Sequence, residues 1–200
     1  MARPINPPVR VAADTNVGLD FAIEREWVVD ALTTIRQRTS SGPILVPPST
    51  AQELAFIADY GDIAEDQQAA SRFLQSHRAW GFQLINHVPF GHEFIERIAL
   101  RLLQQNLLPS EEVHDAFILT ESALLNCSIL LTSDEHLRGI DFERLTFELR
   151  AFDVTAPVIA TPRAVNITVE VTTGTTSQGS ATLCGPPVSA TATAIATTPP

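Results

Sequence analysis

The chain contains no lysine: its thirteen basic residues are all arginines, set against twenty-three acids for a formal net charge of −10. This balance withholds the basic surface on which bulk attraction to nucleic acid depends. It leaves any phosphate contact to the planar guanidinium, which binds such oxygens bidentately. If several of the acids gather around one cation, the formal charge overstates how negative the loaded protein is. Cysteine is scarce as well. Cys127 and Cys184 have neither the spacing of a metal knuckle nor the density of a disulfide scaffold, so both read as reduced thiols, with Cys127 in the core. No apolar run approaches the roughly 20 residues that span a bilayer, and the N-terminus lacks a charged-then-apolar leader pattern. A soluble, cytoplasmic protein is the expectation.

What is present suits one globular domain. Two hundred residues, 44% of them hydrophobic, suffice for a buried core without staples. Short apolar runs at 9–13, 44–46, 82–86, 129–132 and 158–160 alternate with helical patterns of about 10 to 20 residues. This order predicts an α/β fold, three layers deep, with a mostly parallel central sheet of about five strands. Phe21, Val28, Leu32 and Ile35 recur at helical spacing and predict one helix over 19–38. "EDQQAASRFLQSHRAW" and "EFIERIALRLLQQN" predict two more. Ser110 is placed to cap a further helix, with Glu111 and Glu112 in its first turn. The domain is bounded at 1–166. Residues 167–200 form a Thr/Ala/Pro-rich tail: from Asn166 on there are ten threonines, one charge and no aromatic, a composition that predicts disorder. "NITVEV" could add one edge strand, and the Asn166 sequon is discounted.

The chemistry lies in the carboxylates. In an open parallel sheet, ligands bind beyond the carboxyl ends of the strands. Asp14 follows "VRVAA", Asp134 follows "ILLTS", Glu53 opens the helix after "ILV", and Asp115 lies just inside the helix after Ser110. Each also has a plain structural explanation. Thr50 to Glu53 matches a capping box, Asp134 could cap a short helix, Asp115 could be a solvated first-turn acid, and "DTN" could be an Asx turn. If the four converge, two of them about 4 Å apart repel by roughly 4 kcal/mol at an effective dielectric near 20. A divalent cation removes that cost. All-oxygen ligation favours Mg²⁺ or Mn²⁺ over zinc, and such ions commonly activate water against phosphate esters.

With "AADTNV", "VPPSTAQEL", "HDAFILTESALLNC", "ILLTSDEHL" and "VIATPRAV" in this order, the chain resembles the PIN-domain family of metal-dependent ribonucleases, which includes bacterial toxin–antitoxin toxins. The likeness covers 9–165. It implies that Asp14, Glu53, Asp115 and Asp134 form the catalytic metal site for Mg²⁺ or Mn²⁺, supported by Thr15, Asn16 and Ser133. It further implies a cytoplasmic endoribonuclease with RNA as substrate, a cognate antitoxin protein as partner, self-association into a homo-oligomer, and no membrane. Glu121 and Asp20 are expected to be solvated or ion-paired, and His114 and His136 to have no catalytic role. Arg72, Arg78, Arg97 and Arg101 are candidates for RNA contacts or for surface ion pairs.

Two other function classes stand beside the nuclease. A non-catalytic PIN-like protein-interaction module would keep the acids for stability or binding alone. A phospho-accepting receiver domain would need a lysine late in the chain, and there is none.

Overall fold

A computed structural model describes residues 9–39 and 42–165. The tail beyond 166, with Cys184, the sequon and "NITVEV", lies outside the described residues. The order of elements is β1 (Val11–Ala13), α1 (Thr15–Ala22), α2 (Glu26–Thr39), β2 (Ile44–Val46), α3 (Pro48–Tyr60), α4 (Ala64–Ser76) and β3 (Phe82–Leu84). There follow α5 (His92–Gln104), α6 (Val113–Leu124), β4 (Ile129–Leu131), α7 (Glu135–Arg138), α8 (Phe142–Arg150) and β5 (Val158–Ala160). The strands form one all-parallel sheet in the order β3-β2-β1-β4-β5. This is the expected three-layer α/β architecture. All five strand-like runs are strands: 44–46 and 158–160 keep their bounds, and the other three are shorter by one or two residues.

Strand alternation separates two cores. Val11, Ala13, Ile44, Val46 and Leu131 pack with α1, α2 and α4, whose buried members include Val17, Leu32 and Phe73. Ala12 and Leu130 point the other way, into a cluster with Ile98, Leu102, Ile118, Leu119, Leu145 and Leu149 from α5, α6 and α8. Burying both faces is why the strands read as continuous apolar runs rather than alternating ones. Cys127 lies in the second core at 3% exposure, and burial pushes its thiol up to about 12.

The sheet order sets where a ligand can bind. The chain runs from β1 outward through β2 to β3, then returns to β1's other edge for β4 and β5. The direction of winding therefore reverses between β1 and β4, and the crevice beyond their carboxyl ends is the switch point at which such sheets bind ligands. Asp14 and Asp134 leave the sheet there. The backbone ties the two strand ends together: Asp14 N donates to Leu131 O at 3.0 Å.

Three local expectations are corrected. The helix foreseen over 19–38 is two helices, because Glu24 adopts φ 59° and turns the chain between Ala22 and Glu26. The apolar spacing runs unbroken across this turn, so periodicity could not reveal it. Ser110 does not cap α6. A turn closed by Glu112 N donating to Pro109 O delays the helix to Val113, leaves Glu112 at the cap position, and puts Asp115 alone of the acids in the first turn. Nor is there a capping box at Thr50: α3 begins at Pro48, so Thr50 is already inside it.

The start of α3 is satisfied from elsewhere. Pro47 in the cap position supplies no side-chain hydrogen bond, and Pro48 has no N–H. The carboxylate of Glu121, from α6, fills the gap by accepting from Ser49 N at 2.8 Å and Ser49 Oγ at 3.0 Å. An anion at this end also meets the positive end of the helix dipole. Glu121 is thus 5% exposed and hydrogen-bonded, rather than solvated or ion-paired as its sequence position suggested.

Gly18 offers a direct test of packing around α1. It is buried within the helix, and a Cβ there would meet Leu54 Cδ1 and Phe73 Cε2 at 3.5 Å each, an ordinary contact distance. Glycine costs a helix interior about 0.5–1 kcal/mol relative to alanine. Gly18→Ala is expected to raise stability by up to about 1 kcal/mol in urea denaturation. A loss of stability would show that α1 lies too close to α3 and α4 for a methyl group.

Candidate functional site

The site is assembled from the loop after β1, the loop after β4, the first turn of α6 and the second turn of α3, where Glu53 lies inside the helix rather than opening it. Asp14 is 3% exposed and caps α1: Thr15 N donates to its Oδ1 at 2.6 Å. The helix therefore begins directly after Asp14, inside "DTN", and a cap is part of this acid's role. Its other oxygen, Oδ2, accepts from Thr132 Oγ1 at 2.7 Å, while Thr132 Oγ1 accepts from Asp134 N at 2.9 Å. One buried hydroxyl thus fixes Asp14 to the backbone of Asp134. Asn16 Oδ1 braces the same loop by accepting from Ser133 N at 3.1 Å.

Asp134 caps α7, its Oδ1 accepting from His136 N at 2.7 Å and Leu137 N at 3.1 Å. On the opposite side, Thr15 Oγ1 donates to Glu53 Oε2, and His114 Nε2 lies 3.1 Å from the same oxygen. Among the described residues, no donor reaches Asp134 Oδ2, Glu53 Oε1 or either oxygen of Asp115. These acids keep lone pairs for something else.

The electrostatics show that the acids share one space. Burial raises Asp14 to about 6, against the hydrogen bonds from Thr132 and Thr15, and the charges of Glu53 and Asp134 push it the same way. Asp115 is raised to about 7 by burial first, then by Asp14, Asp134, Glu112 and Glu53. Asp115 therefore feels the other three candidate acids, and Asp14 feels Glu53 and Asp134. Glu53 is also pushed up by burial, but the hydrogen bonds from His114 and Thr15 and the His114 charge outweigh this and hold it low. His114 rises in turn, chiefly through its bond to Glu53.

Sequence reasoning missed four participants. Thr132, the hub between two acids, looks like one more β-branched residue of a buried strand. His114 and His136 were given no role, yet His114 is bound to Glu53. The His136 ring lies 3.0 Å from Glu112 and 3.9 Å from Asp134. Glu112, Asp115 and His136 each offer a ligand atom, all within 4.8 Å of one another. The "SEEVHD" and "SDEHL" segments carried these groups, but nothing along the chain said that the two segments meet.

The donor set fits a divalent cation. Asp14, Glu53, Asp115 and Asp134 offer carboxylate oxygens, the donor type that hard divalent cations prefer. The His136 nitrogen is a further donor near Asp115. Among the described residues the arginine ion pairs lie elsewhere: Arg25 with Asp20, Arg72 with Glu24 and Arg101 with Glu148. Arg97 lies over the Phe94 and Phe152 rings.

The raised acids have a consequence for stability. Without metal, Asp14 and Asp115 hold protons more tightly in the folded chain than at the unfolded value near 3.8. Their contribution is present below about pH 4 and is lost as the pH rises through 6 and 7, because ionisation is penalised only in the fold. In EDTA, the melting temperature of Asp115→Asn relative to the unaltered chain should therefore climb between about pH 4 and pH 8. Parallel melting profiles across that range would mean that Asp115 does not share the field of the other acids.

No protein-family model matches this chain, and no curated protein matches it by sequence. Solved structures do match by fold. One is a chain from the crystal structure of VapBC2 from Rickettsia felis bound to a DNA fragment from their promoter. The similarity has a TM-score of 0.51 at 12% identity and covers 76% of this chain and 98% of that one. At this identity the likeness establishes the fold, which is PIN-like.

Proposed function

We propose that the protein is a metal-dependent endoribonuclease that hydrolyses RNA phosphodiester bonds and serves as the toxin of a toxin–antitoxin pair. The observation that carries this is the meeting of Asp14, Glu53, Asp115 and Asp134 at the switch point of a PIN-like sheet, where Asp115 is raised to about 7 by burial and by the charges around it. The VapBC2 likeness supports the family of activity, and through it an inhibitor protein as partner.

Asp14, Asp115 and Asp134 would hold Mg²⁺ or Mn²⁺, with Glu53 as ligand or as orienting base. When bound, the cation lowers the pKa of water and neutralises charge building on the phosphate. The protein's own work is positioning. Thr132 fixes the angle between Asp14 and the Asp134 loop, and Asn16 holds Ser133 against the start of α1. Thr15 and His114 anchor one oxygen of Glu53, and the other would accept a proton from water. An antitoxin matched to such a rim would present a basic side chain to the acids. The homo-oligomer implied by the resemblance belongs to the same proposal.

Two measurements test this. Millimolar Mn²⁺ is expected to raise the melting temperature of the unaltered chain, and to do so much less for Asp14→Asn or Asp115→Asn. The same substitutions should lower Mn²⁺-dependent RNA cleavage at least about a hundredfold, the scale of losing one charge-stabilising group. Cleavage unchanged in both variants would assign the activity to a contaminant. Metal binding without cleavage would favour the non-catalytic interaction module.

A further inference from the structure

A cleft of about 630 Å³ adjoins the groups above. It lies beside the acids, where α3, α5 and α6 meet, and falls within the range of small-molecule sites. His114 joins the two regions: it lines the cleft and holds Glu53. Aromatic faces make up part of the wall. Phe90, His92 and Phe117 line it, with the His92 and Phe117 rings 16° from parallel and 6.1 Å apart. Ser49, Gln52 and Asn86 add polar groups.

Glu121 also lines this cleft, although it is 5% exposed. Ser49 N and Ser49 Oγ bind one oxygen each, which fixes the carboxylate plane. Among the described residues Glu121 has no ion pair. Each oxygen takes one donor from Ser49 and so retains a further acceptor position.

We propose that this cleft is a guanine subsite, in which the two oxygens of Glu121 accept N1–H and N2–H of a base lying against the Phe90, His92 and Phe117 rings. The inference rests on the ribonuclease reading for its setting, since it makes Glu121 the residue that selects the nucleotide beside the cut phosphate. Guanine alone among the RNA bases carries two adjacent N–H donors on one edge, matched to the two oxygens of one carboxylate. Stacking on aromatic faces is how single-stranded RNA bases are generally held. The lining sets two carboxylates, Glu111 and Glu121, beside the rings of His87, His92 and His114.

Nucleosides test the subsite apart from cleavage, because they carry no phosphate for the acids or a cation to hold. Titration of the full chain, in Mn²⁺, with guanosine, inosine, adenosine and cytidine should show guanosine at least about tenfold tighter than cytidine, with inosine, which lacks the N2 amine, between them. Glu121→Gln turns one acceptor into a donor and should lower guanosine affinity about tenfold, close to 1.4 kcal/mol, while leaving adenosine and cytidine as they were. His92→Ala, at an exposed position, keeps the test open if Glu121→Gln folds poorly, and should weaken guanosine at least about threefold. Equal binding of the nucleosides, no binding, or a Glu121→Gln chain with a lowered melting temperature and an unchanged preference would overturn the subsite. Guanosine preference without RNA cleavage would leave the subsite standing and remove the ribonuclease reading. Cleavage without nucleoside preference would do the reverse.

Discussion

Repulsion among carboxylates at one end of the sheet is the constraint on which the rest of the site depends. Placing β1 beside β4 brings Asp14 and Asp134 to neighbouring strand ends, and α3 and α6 deliver Glu53 and Asp115 to the same rim. Burial makes each charge more expensive and leaves fewer waters to screen it. The surroundings answer with fixed dipoles: the Thr15 amide on Asp14, the α7 amides on Asp134, and His114 on Glu53. Asp115 receives no such partner among the described residues, and it is raised to about 7, above Asp14 at about 6. The remaining repulsion is a property of the metal-free chain.

A second acid shows how the same chemistry can do structural work. Glu121 meets the start of α3, where Pro47 and Pro48 leave the helix without a cap of its own. Two prolines fix the entry of α3, which sets where Glu53 points one turn later, and Glu121 holds that entry to α6. The bond from Glu121 to Ser49 thus joins the helices carrying Glu53 and Asp115. Two of the acids keep their relative position through a third that is not among them.

Much of the fold was legible because it rests on patterns that run along the chain. Buried parallel strands such as 44–46 and 129–131 read as short apolar blocks, and helices α4 and α5 as amphipathic stretches. The break at Glu24 was not legible, since a left-handed residue without glycine, asparagine or proline beside it leaves no compositional mark. The same division holds for the site. Asp14 and Asp134 could be singled out because strand ends are visible in sequence. The Thr132 hydroxyl, the His114 bond to Glu53 and the approach of His136 to Glu112 depend on contacts between segments far apart in the chain. Glu53 shows the limit most clearly: its motif matched a capping box, and only the position of Pro48 at the start of α3 shows that the box does not form.

The scarcity of basic side chains finally bears on how such a chain could handle RNA at all. Arg25, Arg72 and Arg101 neutralise neighbouring acids, Arg36 and Arg144 donate to the carbonyls of Trp80 and Gln105, and Arg163 lies over Trp27. Arginines engaged in this way hold the fold together and have fewer donors left for phosphates. A surface of this kind gains little from counterion release, the term that dominates binding by basic proteins and makes it fall steeply with salt. Affinity would have to come instead from charge placed at one point, by a cation among the carboxylates, and from bases held by stacking and hydrogen bonds. Binding built on those two terms is weakly dependent on ionic strength and strongly dependent on metal, the opposite balance from a nuclease that tracks the backbone with lysines.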